Sequence, residues 1–413
     1  MKKELSQIIK TAYENKATLL GVGAMSKEEV YAALDLCKEL QFPLMFIASR
    51  NQVDMELCGR GYANNWNSAE FSDCVKNKAE ELGISDYVYL CRDHGGPWQR
   101  DDEFKKKVEL EKAMELCLQS FYEDLDAGFT LIHIDTSKDW KYEGKIPLPI
   151  AVERTVYLLD KLETYRKNHN LEPVVYEISL EETGRESCEV EEFTEYVEQM
   201  VSEFKKNNLI IPEFIVGDTG TFVRMDRNIG EFRVSNVEKL SKVAAENEMY
   251  LKEHNADYID IEILKKHPEM NIAMANVAPE FARAESVALL ELVEKVNKAL
   301  EDGSKTLERK SLLGDIIRER VLQSPKWRKW IDDELDADKA ILDESFQKRA
   351  IQVCAHYFFS DEEVQKERSI LYDNVIELNL VDDPGAYVRN SIKESIKRYV
   401  LALNLRDFNQ YIK

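Results

Sequence analysis

Charged and imidazole side chains gather in this sequence where short apolar segments end. The segment Cys91–Arg100 reads Cys-Arg-Asp-His-Gly-Gly-Pro-Trp-Gln-Arg, and it directly follows the apolar run Tyr87–Leu90. Taken alone, the segment fits an ordinary turn between a strand and a helix, with Gly-Gly-Pro bending the backbone and His94 capping a core. It also fits the rim of an active site, because catalytic residues are concentrated on loops that a rigid scaffold positions.

The same combination of residue types recurs after other apolar runs. The polar residues at these strand ends are Asp93 and His94, His133 and Asp135, Glu177, Asp218, His254 and Asn255, and Asn276. Three of the six histidines are thus found at three different strand ends, which scattered placement over 413 residues would not usually give. The other three, His169, His267 and His356, lie on predicted helices or their ends, where surface or core roles are expected.

Imidazole nitrogens together with carboxylate oxygens suit zinc, or manganese or cobalt when more oxygen ligands are present. We expect His94, His133, Glu177 and His254 to be the metal ligands, and Asp93, Asp135 and Glu177 to be the catalytic carboxylates. The alternative is structural, with His133 as a core histidine and Asp135 as a helix cap. Strand alternation places both side chains on the same side of their strand, which favours a site.

A divalent ion at such a position acts as a Lewis acid on a carbonyl or hydroxy-carbonyl pair, and a neighbouring carboxylate moves the proton. These elements permit enolisation, aldol cleavage or epimerisation of a sugar, and they do not choose between them. The predicted substrate-binding residues are Asn51, Arg92, Asp218, Asn276 and Arg283.

Strand and helix signals alternate through most of the chain. The predicted strands are Thr18–Gly23, Pro43–Ala48, Tyr87–Cys91, Thr130–Ile134, Pro173–Ile178, Ile211–Val216, Tyr250–Glu253 and Asn271–Asn276. Ser26, with Glu29 three residues later, has the residue pattern of a helix start. Eight strands in about 300 residues predict a (β/α)₈ TIM barrel, in which the carboxyl ends of the strands meet on one face. A doubly wound open sheet is the alternative, but no G-x-G-x-x-G follows the first strand.

The strand signal disappears in the last part of the chain. We therefore expect residues 1–300 to form the barrel and residues 301–413 to form an α-helical extension that packs on the barrel or on a partner subunit. The predicted helices of the extension are Lys310–Gln323, Trp327–Leu335, Ser345–Tyr357, Asp361–Leu378 and Asp383–Leu403. Their many aromatic residues are expected to be core residues more often than ligand contacts.

Composition excludes several classes of protein. A net charge of −22 argues against nucleic-acid binding, which depends on patches of lysine and arginine. No apolar run reaches membrane-spanning length, and the first residues lack the apolar block of a signal peptide, so we expect a cytoplasmic protein. The seven cysteines form no C-x-x-C pair, so neither a disulfide framework nor a cysteine zinc site is expected.

The order of the motifs resembles the Z-subunit family of tagatose-bisphosphate aldolase, the so-called non-catalytic subunits of a class II enzyme. The segments that carry the resemblance are Arg92–Pro97, His133–Lys138, Tyr176–Ser179, Lys252–Tyr258 and Ala275–Phe281. The likeness runs from Leu19 to Leu290 and extends more loosely over Gln347–Tyr372.

This resemblance implies a TIM barrel related to the zinc class II aldolases, acting on ketohexose phosphates in the cytoplasm. It places Asp93, His94, Asp135, Glu177 and His254 on the family's strand-end motifs. The family has also been linked to sugar epimerisation, in which Glu177 and Asp135 would be the acid and base. A class II aldolase catalytic subunit is an expected partner, and we also expect a homo-oligomer.

Three functional hypotheses follow. The first is a metal-dependent sugar aldolase or epimerase that works by itself, and the second is a subunit that stabilises a separate aldolase without performing chemistry. A sugar kinase is disfavoured because no G-x-x-x-x-G-K-[ST] loop is present. The family's usual Gly-Pro after the last strand is Ala278-Pro279 here, and Arg283 stands at a different spacing. A sugar acid or a non-phosphorylated sugar therefore stays open, with Arg92, Arg100 and Arg224 as candidate anion partners.

Overall fold

Strands at the centre of the molecule close into a parallel barrel. The computed structural model describes residues 3–142, 144–179, 189–301, 303–332 and 335–412. Its strands are β1 (Leu19–Gly23), β2 (Leu44–Ser49), β3 (Val88–Gly95), β4 (Leu131–Asp135), β5 (Val175–Ser179), β6 (Phe214–Val216), β7 (Val223–Arg224), β8 (Arg227–Asn228), β9 (Tyr250–Glu253) and β10 (Ile272–Val277). The barrel order is β1-β10-β9-β6-β5-β4-β3-β2, and β7 with β8 forms a separate antiparallel ribbon. The predicted eight-stranded TIM barrel with a helical C-terminal extension is confirmed.

Helices surround the barrel and form the C-terminal extension. They are α1 (Leu5–Glu14), α2 (Lys27–Leu40), α3 (Ser68–Leu82), α4 (Asp101–Lys105), α5 (Leu110–Ala127), α6 (Leu148–Asn168), α7 (Val190–Lys206), α8 (Val234–Glu246), α9 (Ile261–Leu264), α10 (Pro279–Leu300), α11 (Leu313–Gln323), α12 (Ala337–Ala340), α13 (Glu344–Cys354), α14 (Glu362–Glu377) and α15 (Pro384–Ala402). Short 3₁₀ helices span Glu56–Cys58, Ser85–Tyr87, Pro325–Trp330, Ala355–Phe358 and Phe408–Tyr411. The side chain of Ser26 accepts a hydrogen bond from the backbone N–H of Glu29 at 3.0 Å, as predicted for the start of α2.

Two predicted helices differ from the observed ones. The sequence predicts one helix from Phe104 to Glu123 after the third strand, but the structure divides this stretch between α4 and α5. The carbonyl of Val108, at the break, accepts hydrogen bonds from the indoles of Trp98 and Trp140 at 2.7 and 3.0 Å, and these bonds replace helical ones. The helix expected over Trp327–Leu335 is the 3₁₀ helix Pro325–Trp330, and residues 333–334 lie outside the described residues.

Alternation along the strands decides which side chains enter the barrel. A Cβ atom on Gly21 would collide with the side chains of Asn276, Ile47 and Met274, so Gly21 faces the crowded interior of the barrel. Gly21 therefore leaves space beside Asn276, close to the carboxyl ends of the strands.

The extension packs on one side of the barrel. α15 lies against α10 and α2, and α13 and α14 lie against α10. Buried ion pairs hold this contact, including Arg368 with Glu285 at 2.7 Å. The 3₁₀ helix Pro325–Trp330 reaches the barrel mouth, where the carbonyl of Trp330 accepts a hydrogen bond from the N–H of Met225, beside β7, at 2.8 Å. Contact between the extension and a partner subunit stays a prediction.

Two other expectations concern the chain as a whole. Within the described ranges, no helix combines the length and apolar character needed to cross a bilayer. The six described cysteines carry free thiols, and Cys188 lies outside the described residues.

Candidate active site

Three imidazoles meet at the carboxyl-terminal mouth of the barrel. His94 comes from β3, His133 from β4, and His254 directly follows β9. Their ring centroids are 5.2 Å apart for His94 and His133, 4.8 Å for His94 and His254, and 5.2 Å for His133 and His254. Residues far apart in sequence are thus brought together on the face where barrel enzymes hold their active sites.

Two carboxylates complete a donor cluster with these histidines. Nδ1 of His133 lies 3.9 Å from Asp93 Oδ1 and 3.5 Å from Glu177 Oε1. Nε2 of His254 lies 3.7 Å from the same Asp93 oxygen and 2.8 Å from the same Glu177 oxygen. Tetrahedral zinc, with bonds of about 2.0–2.2 Å, places neighbouring ligand atoms roughly 3.3–3.6 Å apart. Of the four observed separations, one is shorter than this spacing at 2.8 Å, one lies within it at 3.5 Å, and two are longer at 3.7 and 3.9 Å.

Two overlapping groups of side chains in the described residues satisfy the distance requirement for one ion. One group is His94, His133 and His254, and the other is Asp93, His133, Glu177 and His254. In each group the ligand atoms lie within 4.8 Å of one another. Nitrogen and oxygen donors of this kind suit zinc, and manganese or cobalt when the oxygens dominate. The chemistry of the donor set therefore fits a divalent metal.

The backbone at the end of β3 turns two consecutive side chains toward the same site. Adjacent strand residues normally point to opposite faces, yet Asp93 and His94 both face the mouth. His94 has a φ of +44°, in the left-handed region, and the pairing of β3 with β4 shifts register between Arg92 and Gly95. This irregularity redirects His94 into the cluster, and such local departures from regular sheet are common next to active sites.

A further set of contacts orients the imidazoles. Nδ1 of His94 lies 2.6 Å from Asp135 Oδ2, while Asp135 Oδ1 accepts hydrogen bonds from the N–H and hydroxyl of Ser137 at 3.0 and 2.6 Å. Burial acts to raise the pKa of Asp135, but its bond to His94 outweighs burial and leaves the pKa below its ordinary value. The ionised carboxylate therefore accepts the Nδ1 proton, which leaves Nε2 of His94 as the metal-binding atom.

His133 is fixed by two hydrogen bonds. Its Nδ1 accepts from the backbone N–H of His94 at 3.1 Å, and its Nε2 lies 2.9 Å from the hydroxyl of Ser179. Since Nδ1 is an acceptor, the proton of a neutral ring is on Nε2 and is donated to Ser179. A metal bound at Nδ1, the atom beside Asp93 and Glu177, would take the place of the His94 N–H.

Lys252, which was not predicted from the sequence, lies beside Glu177. Its Nζ lies 2.5 Å from Glu177 Oε2 inside the barrel, and both side chains are buried. Burial raises the pKa of Glu177, but Lys252 and His133 outweigh it and lower the pKa to about 2. Lys252 precedes His254 by two residues, so alternation along β9 was the signal that could have placed it on the same face.

The site shifts the pKa values of His254, His94 and Asp93 in different directions. Burial lowers the pKa of His254 below its ordinary value, which favours the neutral ring that binds metals. Burial also acts to lower the pKa of His94, but Asp93 and Asp135 outweigh it and raise the pKa. The pKa of Asp93 is well below its usual range because His94 and His254 outweigh the effect of burial.

A pocket of about 460 Å³ opens above the cluster. Asp93, His94 and Asp135 line its inner end. The outer residues include Lys138, Arg224 from the ribbon, and three residues that the extension contributes, Lys329, Trp330 and Tyr357. This contribution of the extension to the site was not predicted from the sequence. A wider depression of about 930 Å³ lies between α6 and α7 on the outer surface, and its lining contains no histidine.

The predicted substrate-binding residues are divided between the pocket and the framework. Asn51 lines the pocket, and the amide of Asn276 donates to Asp93 at 3.0 Å. Asp218 is instead held by Arg233 at 3.0 Å, outside the residues that line the pocket. The guanidinium of Arg283 donates to Gln352 of the extension at 2.8 Å, and Arg283 does not line the pocket either.

The arginines predicted near β3 have structural partners. Arg92 is fully buried and points to the layer between the barrel and α5, where it forms two hydrogen bonds of 2.7 Å with Asp124. Its remaining bonds are to the carbonyls of Ala48 and Val53, both at 2.8 Å. Arg100 bonds Asp54 and Asp102 at 3.3 and 3.0 Å. We therefore assign Arg92 and Arg100 to the framework and not to substrate binding.

Gly95 and Gly96 allow close packing of the end of β3. A Cβ atom on Gly95 would collide with the ring of Phe121, and one on Gly96 would collide with the carbonyl oxygen of Asp135. Gly96 also has a φ of +154°, which favours glycine. The two glycines thus bring β3 against β4 and α5, whereas the sequence suggested that Gly-Gly-Pro bends the backbone at a turn.

Comparisons with known proteins agree with this architecture. Residues 5–383 match the family described as D-tagatose-1,6-bisphosphate aldolase subunit GatZ/KbaZ-like. No curated protein matches the chain. A probable tagatose 6 phosphate kinase from Sinorhizobium meliloti 1021 is 19% identical with a TM-score of 0.73, covering 93% of this chain and 100% of that one. Fructose-bisphosphate aldolase from Campylobacter jejuni is 13% identical with a TM-score of 0.58, covering 98% and 94%. At identities of 19% and 13%, these two comparisons show that this chain shares the fold of those structures.

Proposed function

Because the chain belongs to the GatZ/KbaZ-like family of D-tagatose-1,6-bisphosphate aldolase subunits, we propose that it is a metal-dependent sugar aldolase or epimerase acting on a ketohexose or its phosphate. Family membership confirms the resemblance seen in the motifs and assigns the chain to aldolase-related carbohydrate metabolism. The observation that carries the proposal is the donor cluster, in which three imidazoles and two carboxylates converge beneath a pocket of about 460 Å³.

The metal would be held by His133 and His254, which belong to both groups of donors, together with His94 or Glu177. We propose zinc, with manganese or cobalt as alternatives. When bound, a divalent ion supplies a Lewis acid for a carbonyl or hydroxy-carbonyl pair of the sugar. Asp135 holds His94 in one orientation and Ser179 does the same for His133, so the ligands are arranged before substrate arrives.

We assign proton transfer to Asp93. Its side chain lines the pocket and the residue is 9% exposed, whereas Glu177 is 0% exposed and paired with Lys252. Both oxygens of Asp135 are already engaged, one with His94 and the other with Ser137. Asp93 is therefore the carboxylate best placed to take a proton from a substrate, and this differs from the pair Glu177 and Asp135 that the resemblance suggested.

The experiment combines metal analysis with turnover. Purified protein is expected to contain about one divalent ion per chain and to lose turnover of ketohexoses, their phosphates or hexuronates after chelation. Restoring zinc, manganese or cobalt should recover it. The variant D93N is expected to keep the metal and to lose turnover by roughly 10²-fold or more. Protein that neither retains a metal nor turns over any of these sugars with added metal would contradict the proposal.

A second candidate is a non-catalytic subunit that stabilises a separate class II aldolase, which the family's description as aldolase subunits supports. It predicts that D93N leaves the activity of the partner enzyme intact. Turnover by the isolated chain that D93N abolishes would exclude this alternative. For either candidate we propose the cytoplasm as the place of action, since the family is metabolic, and a homo-oligomer as the form of the chain.

A further inference from the structure

The N-terminus of α10 borders the pocket, but a carboxylate of the protein itself occupies it. In barrels of this kind, a phosphate is frequently bound by the last loops and a helix N-terminus. Here Asp257 accepts hydrogen bonds from the backbone N–H of Ala278 at 3.1 Å and of Glu280 at 2.7 Å. Pro279, between them, lines the pocket. These N–H groups are therefore already used and do not serve an anionic ligand.

A second carboxylate makes the same helix end still less suitable for an anion. Glu280 lies in the first turn of α10 and accepts hydrogen bonds from the hydroxyl of Tyr399 at 2.5 Å and from the N–H of Tyr258 at 2.6 Å. The buried Asp257 and Glu280 consequently place acidic groups where a bound phosphate would be. The two carboxyl groups accept from the backbone N–H groups that a phosphate would need.

The positive side chains of the pocket come from elsewhere in the chain, and one of them, Arg224, is engaged by the ring of Phe222 and the carbonyl of Val223. Lys138 follows β4, and Lys329 belongs to the 3₁₀ helix Pro325–Trp330 of the extension. Asp101 lines the same pocket, and although burial raises its pKa, Lys329 and Lys138 outweigh burial and lower the pKa below its ordinary value. Among the residues the structure describes, neither ammonium group forms a hydrogen bond or an ion pair within 4.0 Å.

These lysines stand out against the charge of the whole protein. With a net charge of −22, the surface as a whole repels anions, so capture of an anionic sugar depends on a local positive site. Lys329 also lies 5.0 Å from the ring centre of Tyr357, which lines the same pocket and limits where the ammonium group can go.

We propose that Lys138 and Lys329 form an anion subsite, and that the substrate is a ketohexose with a negatively charged end group, a carboxylate or a phosphate, bound there instead of at the N-terminus of α10. This inference rests on the proposed function, which places the reacting carbons at Asp93 and His94. Those two residues and the two lysines line one pocket of about 460 Å³, which is within the range of small-molecule sites. The sugar then spans from the donor cluster to the rim that the extension provides.

The test measures equilibrium binding of three probes by titration calorimetry on the metal-loaded full chain. The probes are D-fructose, D-fructose 6-phosphate and D-fructuronate, which represent the neutral, phosphate and carboxylate cases. The variants are K138M and K329M, and the matched control is K339M, an exposed lysine of the extension that pairs with Asp336. Each variant's melting temperature is measured first, so that a loss of binding is not confused with a loss of fold.

We expect the wild-type chain to bind one anionic probe at least tenfold more tightly than D-fructose. Each of K138M and K329M should weaken that binding by about tenfold or more, because each removes a charge-assisted hydrogen bond. Binding of D-fructose, and all binding by K339M, should stay as in the wild type. The probe whose affinity depends on the lysines identifies the end group as carboxylate or phosphate.

Equal affinity of the wild type for all three probes would overturn the inference, and so would wild-type binding of the anions by both variants. Repeating the titrations after chelation separates this inference from the proposed function. If the chain holds no metal but its anion binding still depends on the two lysines, the subsite stands while the metal chemistry fails. If metal-dependent turnover is present and the lysine variants bind anions normally, the metal chemistry stands while the anion subsite fails.

Discussion

Arg92 and Asp93 are neighbours on β3, yet their side chains enter different environments. Arg92 points outward to the helix layer, where Asp124 supplies a carboxylate through two bonds of 2.7 Å. Asp93 points into the barrel mouth, where it accepts one hydrogen bond from Asn276 at 3.0 Å and lies 3.9 and 3.7 Å from nitrogens of His133 and His254. Both residues are charged and buried, but only Arg92 is in direct contact with a side chain of opposite charge, that of Asp124.

The difference shows how the barrel separates stability from chemistry. A buried charge is tolerated when it is paired and hydrogen-bonded, and the outward layer meets that condition within the protein. In the mouth, lone pairs of three imidazoles and two carboxylates face one small space, and Lys252 is the cation that neutralises part of their charge. We therefore expect changes in the outward layer to affect folding and changes in the mouth to affect metal binding and turnover.

The largest expected effect comes from removing an imidazole of the mouth. H254A should lower turnover by roughly 10³-fold, equivalent to about 4 kcal/mol, because it removes a ligand common to both donor groups. Metal content by mass spectrometry and steady-state rates check this, with H169A, at the exposed His169, as the control. A metal-loaded H254A variant with normal rates would show that the cluster is not the metal site.

The second-largest effect is expected from breaking the buried ion pair between Arg92 and Asp124. D124N leaves Arg92 without an anionic partner, and the free energy of unfolding should fall by about 3 kcal/mol. Urea unfolding of the chelated protein measures this without a contribution from bound metal. E246Q, which removes an exposed pair with Lys242 at 3.7 Å, should change stability by less than about 0.5 kcal/mol. If D124N also changes the free energy of unfolding by less than about 0.5 kcal/mol, the pair of Arg92 and Asp124 is not stabilising.

A smaller effect is expected from the cation inside the mouth. K252M removes the partner of Glu177 and should weaken metal binding by about 10- to 100-fold, since groups that support ligands typically have effects of this size. Competition with a chromophoric chelator measures the affinity, and K265M, at an exposed lysine directly after the short helix α9, is the control. Unchanged affinity in K252M would restrict the pair to a structural role.

The smallest effect concerns a titrating residue of the extension. Burial lowers the pKa of His356 to about 3, and its Nε2 has no hydrogen-bond partner among the described residues. The unfolded chain, with a histidine pKa of about 6.5, binds the proton more readily, so stability is complete above that pH and declines as pH falls toward 3. At pH 5.5 the loss is about 1 kcal/mol.

The variant H356N isolates this contribution, because its amide replaces the bond from Nδ1 to the carbonyl of Val353 and does not titrate. Unfolding free energies of both proteins at pH 7.5 and pH 5.5 give the difference. We expect the wild type to lose more stability than H356N over this interval. Equal losses would mean that His356 does not report on the packing of the extension.

The sequence predicted the mouth better than its surroundings. His133 and Asp135, two residues apart on one strand, are placed correctly by alternation, and the eight apolar runs predict the barrel. Arg92 was predicted at the site but faces the helix layer. Regular alternation would put Arg92 and His94 on the same face of β3, but the left-handed backbone at His94 breaks the alternation. Alternation holds only while the strand is regular.

The contribution of the extension was out of reach of the sequence for a different reason. Lys329, Trp330 and Tyr357 reach the pocket through tertiary packing of 3₁₀ helices on the barrel, and no local pattern encodes where such helices dock. Lys252 lies between these cases, because the strand that carries it was recognised but a lysine was not expected inside a barrel.

The position of the rim late in the chain has a consequence for biosynthesis. Every strand of the barrel, and with it His254, leaves the ribosome before Lys329 and Tyr357, which line the outer part of the pocket. Domains generally fold as units during synthesis, beginning from the N-terminus. A newly made barrel thus lacks the outer wall of the pocket until the extension docks and the hydrogen bond between Met225 and Trp330 forms.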